Sequence, residues 1–175
     1  SARVLLTAGQ VADTYDRMSA AISAELAGEN PVVLAVMNGG AFTAIELCKR
    51  FDFPYDFAYV HATRYADGLT GGEIDWQVEP RPELEGRTVL LVDDILDVGI
   101  TLAALEHALR ERAVGTLYKA VFAVKRLREP AQRPSVDFKG TEIDDVYVFG
   151  CGMDYRGYWR GLPALLALSA DGEHR

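Results

Sequence analysis

The stretch from Val89 to Leu105, VLLVDDILDVGITLAAL, constrains the fold of this chain more than any other part of the sequence. It opens with four apolar residues, enough for a buried parallel strand, and continues with the acids Asp93 and Asp94. After a short loop from Asp97 to Thr101, leucines recur at the spacing of one helical face. Acids between a strand and a glycine-bearing turn lie at the carboxyl edge of a sheet, where open α/β sheets bind ligands. The helix start adds free N–H groups and a positive dipole end, which suit a phosphate.

Each piece of this stretch also has an ordinary structural interpretation. Asp97 or Thr101 would serve as a helix N-cap, and paired acids after a strand are often solvated loop residues. Here the acids, the glycine and the helix start occur together and in register, and this combination favours a phosphate site.

The length of 175 residues and the net charge of −8 limit the classes of function. We expect one domain with a sizeable core, and no apolar run is long enough to span a membrane. The acidic balance disfavours nucleic acid as the main partner, because a phosphate backbone selects a basic face. Two cysteines without metal-ligand spacing, and a start unlike a signal peptide, predict a reduced, cytoplasmic protein.

The first fifty residues predict a helix, a strand, a glycine turn and a second helix, in that order. Residues 8–27 carry apolar side chains at helical spacing, and Thr7 is a candidate N-cap. Residues 31–37, PVVLAVM, predict the first core strand, and after Asn38-Gly39-Gly40 the helical pattern returns over 41–50. A strand, a glycine pair and a helix form either an anion-binding turn or a tight turn without a ligand, and both remain open from the residues alone.

The rest of the chain alternates strand patterns with polar connections. Strands are predicted over 55–65, 73–78, 116–124, 146–150 and 164–168. Connections are predicted over the glycine-rich segment 66–72, over 79–87 and over 128–145. We therefore predict a single α/β domain over residues 1–175, with a mostly parallel sheet flanked by helices and a small hood mainly from about 145–175.

The central stretch closely resembles the phosphoribosyl-pyrophosphate signature of the type I phosphoribosyltransferases. That signature is a hydrophobic strand, two acids, two apolar residues, and then an acid and a glycine-bearing loop ending in Thr. The resemblance runs from about Val32 to Leu168 and is greatest to the hypoxanthine-guanine branch. It implies that a 6-oxopurine and phosphoribosyl pyrophosphate give a nucleoside 5′-monophosphate and pyrophosphate. It also implies Mg²⁺ as the cofactor, which neutralises the leaving diphosphate.

The resemblance assigns the sugar, phosphate and metal contacts by position. The ribose hydroxyls are held, directly or through Mg²⁺, by Asp93 and Asp94. A second Mg²⁺ is held by Asp154. The 5′-phosphate is held by Val98, Gly99, Ile100 and Thr101. The pyrophosphate is held by Asn38, Gly39, Gly40 and Arg160.

The resemblance also assigns the contacts to the base. Asp97 is the candidate general base near N7 of the purine. Lys125 donates to the 6-oxo group, Tyr147 stacks on the ring, and the backbone of Val148 reads its edge. A lysine donor leaves a 6-amino group poorly matched, so adenine should be rejected. The hairpin of residues 55–78 corresponds to a mobile lid, to which Tyr65 belongs.

Four positions depart from the family pattern, namely Asn38, Arg64, Val98 and Ile100. Asn38 stands where members often have Lys or Arg, which removes a cation from the pyrophosphate turn. Arg64 stands where the lid usually has Ser; it either supplies the missing charge or is a solvated arginine. Val98 replaces a usual Thr, which removes a hydroxyl but leaves the backbone N–H of the phosphate loop.

Two other functions fit the same residues. Xanthine differs from guanine only at the two-position, and no side chain in the sequence decides between them. A nucleotide-sensing regulator with the same fold would bind ligand without turnover. Family members are commonly homodimers or homotetramers, and the sequence does not discriminate between these states.

Overall fold

The computed structural model of the chain describes residues 1–64, 74–128 and 132–169. The helices are α1 (Ala8–Leu26), α2 (Gly39–Cys48) and α3 (Ile100–Glu111), with a 3₁₀ turn at Pro82–Leu84. The strands are β1 (Ala2–Leu6), β2 (Val32–Val36), β3 (Asp56–Arg64), β4 (Ile74–Val78), β5 (Val89–Leu96), β6 (Leu117–Arg126), β7 (Phe138–Asp144), β8 (Val148–Phe149) and β9 (Leu165–Leu168). Strands and helices alternate through the centre of the chain, so the α/β prediction is confirmed.

The main sheet contains six strands in the order β4-β3-β2-β5-β6-β7. Neighbouring strands are parallel, except that β4 runs antiparallel to β3. From β2 the chain moves to β3 on one side, whereas from β5 it moves to β6 and β7 on the other. The strand order therefore reverses between β2 and β5, and in open α/β sheets a ligand crevice forms beyond the carboxyl ends of such strands.

A second, smaller sheet has three antiparallel strands in the order β1-β9-β8. Ala2 pairs with Leu168, and Val148 pairs with Ala167. The start of the chain, which the sequence patterns left unassigned, thus joins the C-terminal segment in one small sheet.

The helices cover both faces of the main sheet. On one face, α1 packs Tyr15 and Ile22 against strand residues such as Val33, and α2 packs on the same face. On the other face, Leu105 of α3 and its helical neighbours meet residues such as Leu34. Adjacent residues of one strand thus face opposite layers, and both faces are apolar because helices bury them.

The structure confirms most of the predicted elements. Thr7 caps α1 as expected: its Oγ1 accepts from the Gln10 amide at 3.2 Å, and the Gln10 side chain accepts from the Thr7 amide at 2.9 Å. This reciprocal pair satisfies two amides at the helix start. The predicted hairpin is also present, because β4 pairs antiparallel with β3.

The prediction that residues 128–145 form a connection is wrong for Phe138–Asp144, which form β7 and pair in parallel with β6. Phe138 and Ile143 are buried, with polar residues between them. Gly140 lies within this strand, and a Cβ there would overlap the carbonyl oxygen of Phe122 and crowd the Met18 Sδ. This glycine marks a close approach of α1 to the sheet rather than a turn.

Several element boundaries also differ from prediction, and two of them concern site residues. Strand β5 continues to Leu96, so Asp93 and Asp94 lie within its last residues rather than after it. Strand β8 has two residues, and Tyr147 immediately precedes it.

Some predicted features lie outside the described residues, namely Tyr65 and the segment 66–72. Within the described ranges, no helix is both long and apolar enough to cross a membrane.

Candidate active site

A cavity of about 320 Å³ opens at the point where the strand order reverses. Its walls come from the turn after β2, the end of β5, the start of α3, and Arg160 from the C-terminal segment. The predicted site residues that line it are Asn38, Gly39, Asp93, Asp94, Asp97, Val98, Gly99, Ile100, Thr101 and Arg160. The sheet topology therefore brings together side chains that are far apart in sequence.

The turn after β2 packs closely against the two acids. A Cβ on Gly39 would overlap the carboxylate of Asp94, and one on Gly40 would lie 2.5 Å from the carbonyl oxygen of Val92. Both glycines are buried, and the Met37–Asn38 peptide bond that leads into them is cis. Glycine is required here because the backbone itself forms the wall of the site.

The carboxyl groups of Asp93 and Asp94 are partly buried and adjacent in sequence. The Asp94 amide donates to Asp93 Oδ1 at 2.9 Å, and the Ile95 amide donates to Asp94 Oδ1 at 2.7 Å. Burial and then the neighbouring Asp94 charge raise the pKa of Asp93 well above its usual range. Burial also raises the pKa of Asp94, although the charge of Arg160 acts in the opposite direction. A nearby cation would favour the charged form of both carboxyls, so this pair is suited to binding one.

This donor set fits Mg²⁺. That ion prefers oxygen ligands and is commonly held by one or two carboxylates, with waters and substrate phosphates completing its shell. Asp93 and Asp94 supply two carboxylates on the cavity wall. Over residues 1–64, 74–128 and 132–169, no cluster of three His, Cys, Asp or Glu side chains is arranged for a metal.

The loop before α3 leaves the helix start available to a ligand. The N-cap of α3 is Gly99, with φ of +81°, and within the described residues no side chain caps the helix. The alternative that Asp97 or Thr101 is the N-cap is therefore wrong. Val98 has 49% of its surface exposed, and Ile100 is also exposed. Uncapped amides at a helix N-terminus bind anions such as phosphate.

Lys125 lies beside Asp97 at the carboxyl edge of the sheet. Its Nζ is 3.0 Å from Asp97 Oδ2 and 3.3 Å from Asp145 Oδ1, and 13% of the side chain is exposed. The Arg133 guanidinium donates to the backbone carbonyls of Asp97, at 3.1 Å, and of Lys125, at 2.8 Å. The ends of β5 and β6 are thus joined by a side-chain ion pair and by one shared arginine.

Tyr147 forms a partly open aromatic surface next to the C-terminal loop. Its ring is 41% exposed, its hydroxyl donates to the Asp154 carbonyl at 3.0 Å, and it meets the Tyr155 ring edge-on, with centroids 6.0 Å apart. Val148 follows as a buried residue of β8, paired with Ala167 of β9. An exposed ring face held in one orientation suits stacking on a planar base.

Asp154 and Arg160 lie together and form an ion pair with each other. Asp154 Oδ1 is 3.3 Å from the Arg160 guanidinium, and Oδ2 accepts from the Gly157 amide at 2.7 Å. Arg160 also donates to the Gly152 carbonyl at 2.7 Å, and it lines the cavity. Asp154 does not line the cavity, and the prediction that it binds a second Mg²⁺ stays a prediction.

Sequence patterns did not identify Asp145, Arg133 or Tyr155 as parts of this region. Arg133 is 36 residues from Asp97 and lies in a polar, proline-bearing segment without a periodic pattern. Asp145 follows β7, the strand that the sequence did not predict. A sequence signal was present only indirectly, since a lysine predicted at a strand end needs a carboxylate partner when it is mostly buried.

The chain resembles known proteins over nearly its whole length. The model of the phosphoribosyl transferase domain family matches residues 2–156. The hypoxanthine-guanine-xanthine phosphoribosyltransferase of Tritrichomonas foetus is 26% identical over 163 residues, which cover 93% of this chain and 89% of that protein.

Solved structures show the same similarity. A hypoxanthine phosphoribosyltransferase from Staphylococcus aureus has a TM-score of 0.90 at 27% identity and covers 99% of this chain and 94% of its own. The enzyme from Trypanosoma cruzi, in complex with the product IMP, has a TM-score of 0.85 at 25% identity, over 96% of this chain and 94% of its own. The predicted resemblance and fold are confirmed, and because the family model spans most of its length, this chain belongs to the phosphoribosyltransferase family.

Proposed function

We propose that the chain is a hypoxanthine-guanine phosphoribosyltransferase of purine salvage. It transfers the phosphoribosyl group of phosphoribosyl pyrophosphate to hypoxanthine or guanine, giving IMP or GMP and pyrophosphate. The observation that carries the proposal is the Lys125–Asp97 pair, 3.0 Å apart, since Asp97 lines the same cavity as the acid pair and the uncapped start of α3. The relatives named for 6-oxopurine substrates, one of them solved with IMP, support this choice.

The sugar phosphate is proposed to bind along β5 and α3. The amides of Val98 to Thr101 and the Thr101 hydroxyl bind the 5′-phosphate, because the start of α3 is uncapped and presents a positive dipole end. Asp93 and Asp94 hold the ribose hydroxyls. Holding the sugar still is most of the catalytic task, since the reaction needs the anomeric carbon aligned between the base and the leaving group.

The pyrophosphate is proposed to leave across the turn after β2. Backbone amides near Gly39 and Gly40 and the Arg160 guanidinium bind it. Mg²⁺, held by Asp93 and Asp94 together with substrate oxygens, would neutralise the charge that develops on the diphosphate. We propose that Asp154 contributes to a second Mg²⁺ only after it exchanges its contact with Arg160 for the ion.

The purine is proposed to bind between Tyr147 and the Asp97–Lys125 pair. Asp97 accepts the proton that the N7–H bond releases as N9 bonds to the anomeric carbon. Lys125 donates to the 6-oxo oxygen and has no acceptor for a 6-amino group, which excludes adenine. The T. foetus relative is named for xanthine as well, so xanthine is the second candidate base.

We further propose that residues 1–175 work as one domain in the cytoplasm, with the small sheet of β1, β9 and β8 as a hood. The two cysteines, Cys48 and Cys151, are both free thiols, which suits a reducing compartment. Homodimers or homotetramers are proposed on the ground that α2 exposes Phe42 and Ile45 beside an apolar cavity of about 260 Å³. Analytical ultracentrifugation tests the assembly.

Nucleotide formation from phosphoribosyl pyrophosphate and Mg²⁺ tests the function. Hypoxanthine, guanine, xanthine, adenine and uracil are assayed in parallel with the wild type and with Asp97→Asn. We expect turnover of the 6-oxopurines and a loss of kcat of about 10²-fold or more in the variant. Turnover of adenine or uracil alone would refute the roles given to Lys125 and Tyr147. Nucleotide binding without turnover of any base would instead identify a regulator.

A further inference from the structure

Three charged side chains meet where β5, β6 and β7 end. The Lys125 ammonium lies between the Asp97 and Asp145 carboxylates, at 3.0 and 3.3 Å. The lysine is mostly buried, whereas about half of each carboxylate is exposed. The proposed function assigns roles to Lys125 and Asp97 but none to Asp145.

Arg133 links the backbones of two of the segments that carry this group. One guanidinium nitrogen of Arg133 binds the carbonyl oxygens of both Asp97 and Lys125. These bonds link the two backbones, and the lysine ammonium lies within ion-pair distance of both carboxylates. A flexible four-carbon stem with three N–H donors allows a lysine to favour either partner.

The proposed reaction places opposite demands on Asp97 and Lys125. Asp97 must be free to accept a proton and then becomes neutral, whereas Lys125 must stay charged to donate to the 6-oxo oxygen. A mostly buried ammonium that loses its one anionic partner is strongly disfavoured. A second carboxylate, which stays charged throughout, removes this conflict.

We infer that Asp145 is a positioning residue that retains the Lys125 ammonium when the purine binds and so frees Asp97 to act as the base. The inference rests on the proposed function and deepens it. Without Asp145, the pair of Lys125 with Asp97 would tighten, and an incoming purine would have to break it. Loss of Asp145 would therefore weaken binding of the purine, because neither Lys125 nor Asp97 is assigned a contact with the sugar phosphate.

The test compares Asp145→Asn with Asp144→Asn. Asp144 is the neighbouring residue and pairs with Arg126 at 2.9 Å on the exposed side, so it is a matched control for loss of one carboxylate. For Asp145→Asn we expect the KM for hypoxanthine to rise about 10-fold, with the KM for phosphoribosyl pyrophosphate within about twofold of wild type. Asp144→Asn should leave both constants unchanged, and Asp145→Glu should restore most of the affinity for the base.

A double-mutant cycle with Lys125→Ala determines whether Asp145 acts through the lysine. If it does, the effect of Asp145→Asn on the KM for hypoxanthine disappears in the Lys125→Ala background. Full additivity, equal rises in both KM values, or the same result for Asp144→Asn would each overturn the inference. A wild-type enzyme without turnover would instead refute the proposed function, so the two failures are distinguishable.

Discussion

Two turns in this molecule have the same sequence logic but different surroundings. Both join a parallel strand to a helix through glycine at the reversal of strand order: residues 38–40 after β2, and residues 97–101 after β5. The first turn is packed against the acid pair, and both of its glycines are buried. The second is open to solvent, with Val98 and Ile100 exposed. In the first turn space alone is therefore limiting, whereas in the second the positive φ of Gly99 is a further limit beside close neighbours.

Gly39→Ala should have the largest effect. The added Cβ would overlap the Asp94 carboxylate, so the turn or the acid must move and the site loses its geometry. We expect kcat/KM for phosphoribosyl pyrophosphate to fall by about 10²-fold or more, since a displacement of about 1 Å has that effect. Steady-state kinetics measures the loss.

Gly28→Ala is the matched control for that prediction. It lies beyond the end of α1, and a Cβ there meets no atom within 4 Å. Wild-type kinetics in Gly28→Ala beside a strong loss in Gly39→Ala would support the comparison. Near-normal activity of Gly39→Ala would contradict the limit on space in the first turn.

Gly99→Ala tests the second turn. The residue has φ of +81°, where a side chain costs about 1–2 kcal/mol, and the Cβ would also approach Pro134 Cδ to 3.0 Å. We expect a loss of stability of that size and a rise of about 10-fold in the KM for phosphoribosyl pyrophosphate. Urea unfolding and kinetics measure the two effects.

Gly86→Ala separates the backbone effect from the site. Its φ is +73°, but a Cβ would meet no atom within 4 Å, and it lies on the connection before β5. We expect a similar loss of free energy of unfolding with unchanged KM. If Gly86→Ala raised the KM equally, the effect at Gly99 would be one of general stability.

Asn38→Lys should produce a smaller gain. A cation at the first turn would add attraction for pyrophosphate to that of the backbone, and we expect the KM for phosphoribosyl pyrophosphate to fall about threefold at low salt. Ala24→Lys on the exposed side of α1 controls for net charge. A fall of the same size in both variants would mean that long-range attraction, rather than the turn, is responsible.

Val98→Thr should have the smallest effect. Val98 is half exposed, and the loop is proposed to bind the 5′-phosphate mainly through its amides. An added hydroxyl should therefore change the KM for phosphoribosyl pyrophosphate by about twofold or less. Steady-state kinetics with varied phosphoribosyl pyrophosphate measures the difference. A change of 10-fold or more would show that the side chain at this position, and not the backbone, dominates the second turn.

The sequence predicted the site best where the signal was local. The strand, the acid pair, the glycine and the helix of the central stretch are neighbours in the chain, and they lie at one edge of the cavity. The cap of α1 by Thr7 and Gln10 was equally local. In such segments hydrophobic period, caps and turn residues agree, and the structure follows.

Contacts between distant segments were not predictable from pattern. Arg133 bonds to Asp97 and Lys125 across gaps of 36 and 8 residues, through a segment whose composition suggests only a loop. Gly140 lies in a segment predicted as a connection, but the residue is part of β7. A sequence does not reveal that α1 lies against the strand at that point. Tertiary packing decided both cases, and single-sequence reasoning has no access to it.

The acid pair of Asp93 and Asp94 also has a consequence for how stability depends on pH. The folded state raises the pKa of both carboxyls, so between their unfolded and folded pKa values the folded protein binds more protons than the unfolded chain. Their contribution to the free energy of unfolding is therefore greatest below the unfolded pKa and is lost as the pH rises through the folded values. Near neutral pH the pair destabilises the empty protein, and Asp93→Asn should raise its melting temperature there while reducing activity. Binding of a divalent cation should recover stability in the wild type but much less in that variant, which makes thermal unfolding with and without Mg²⁺ a measure of site occupancy.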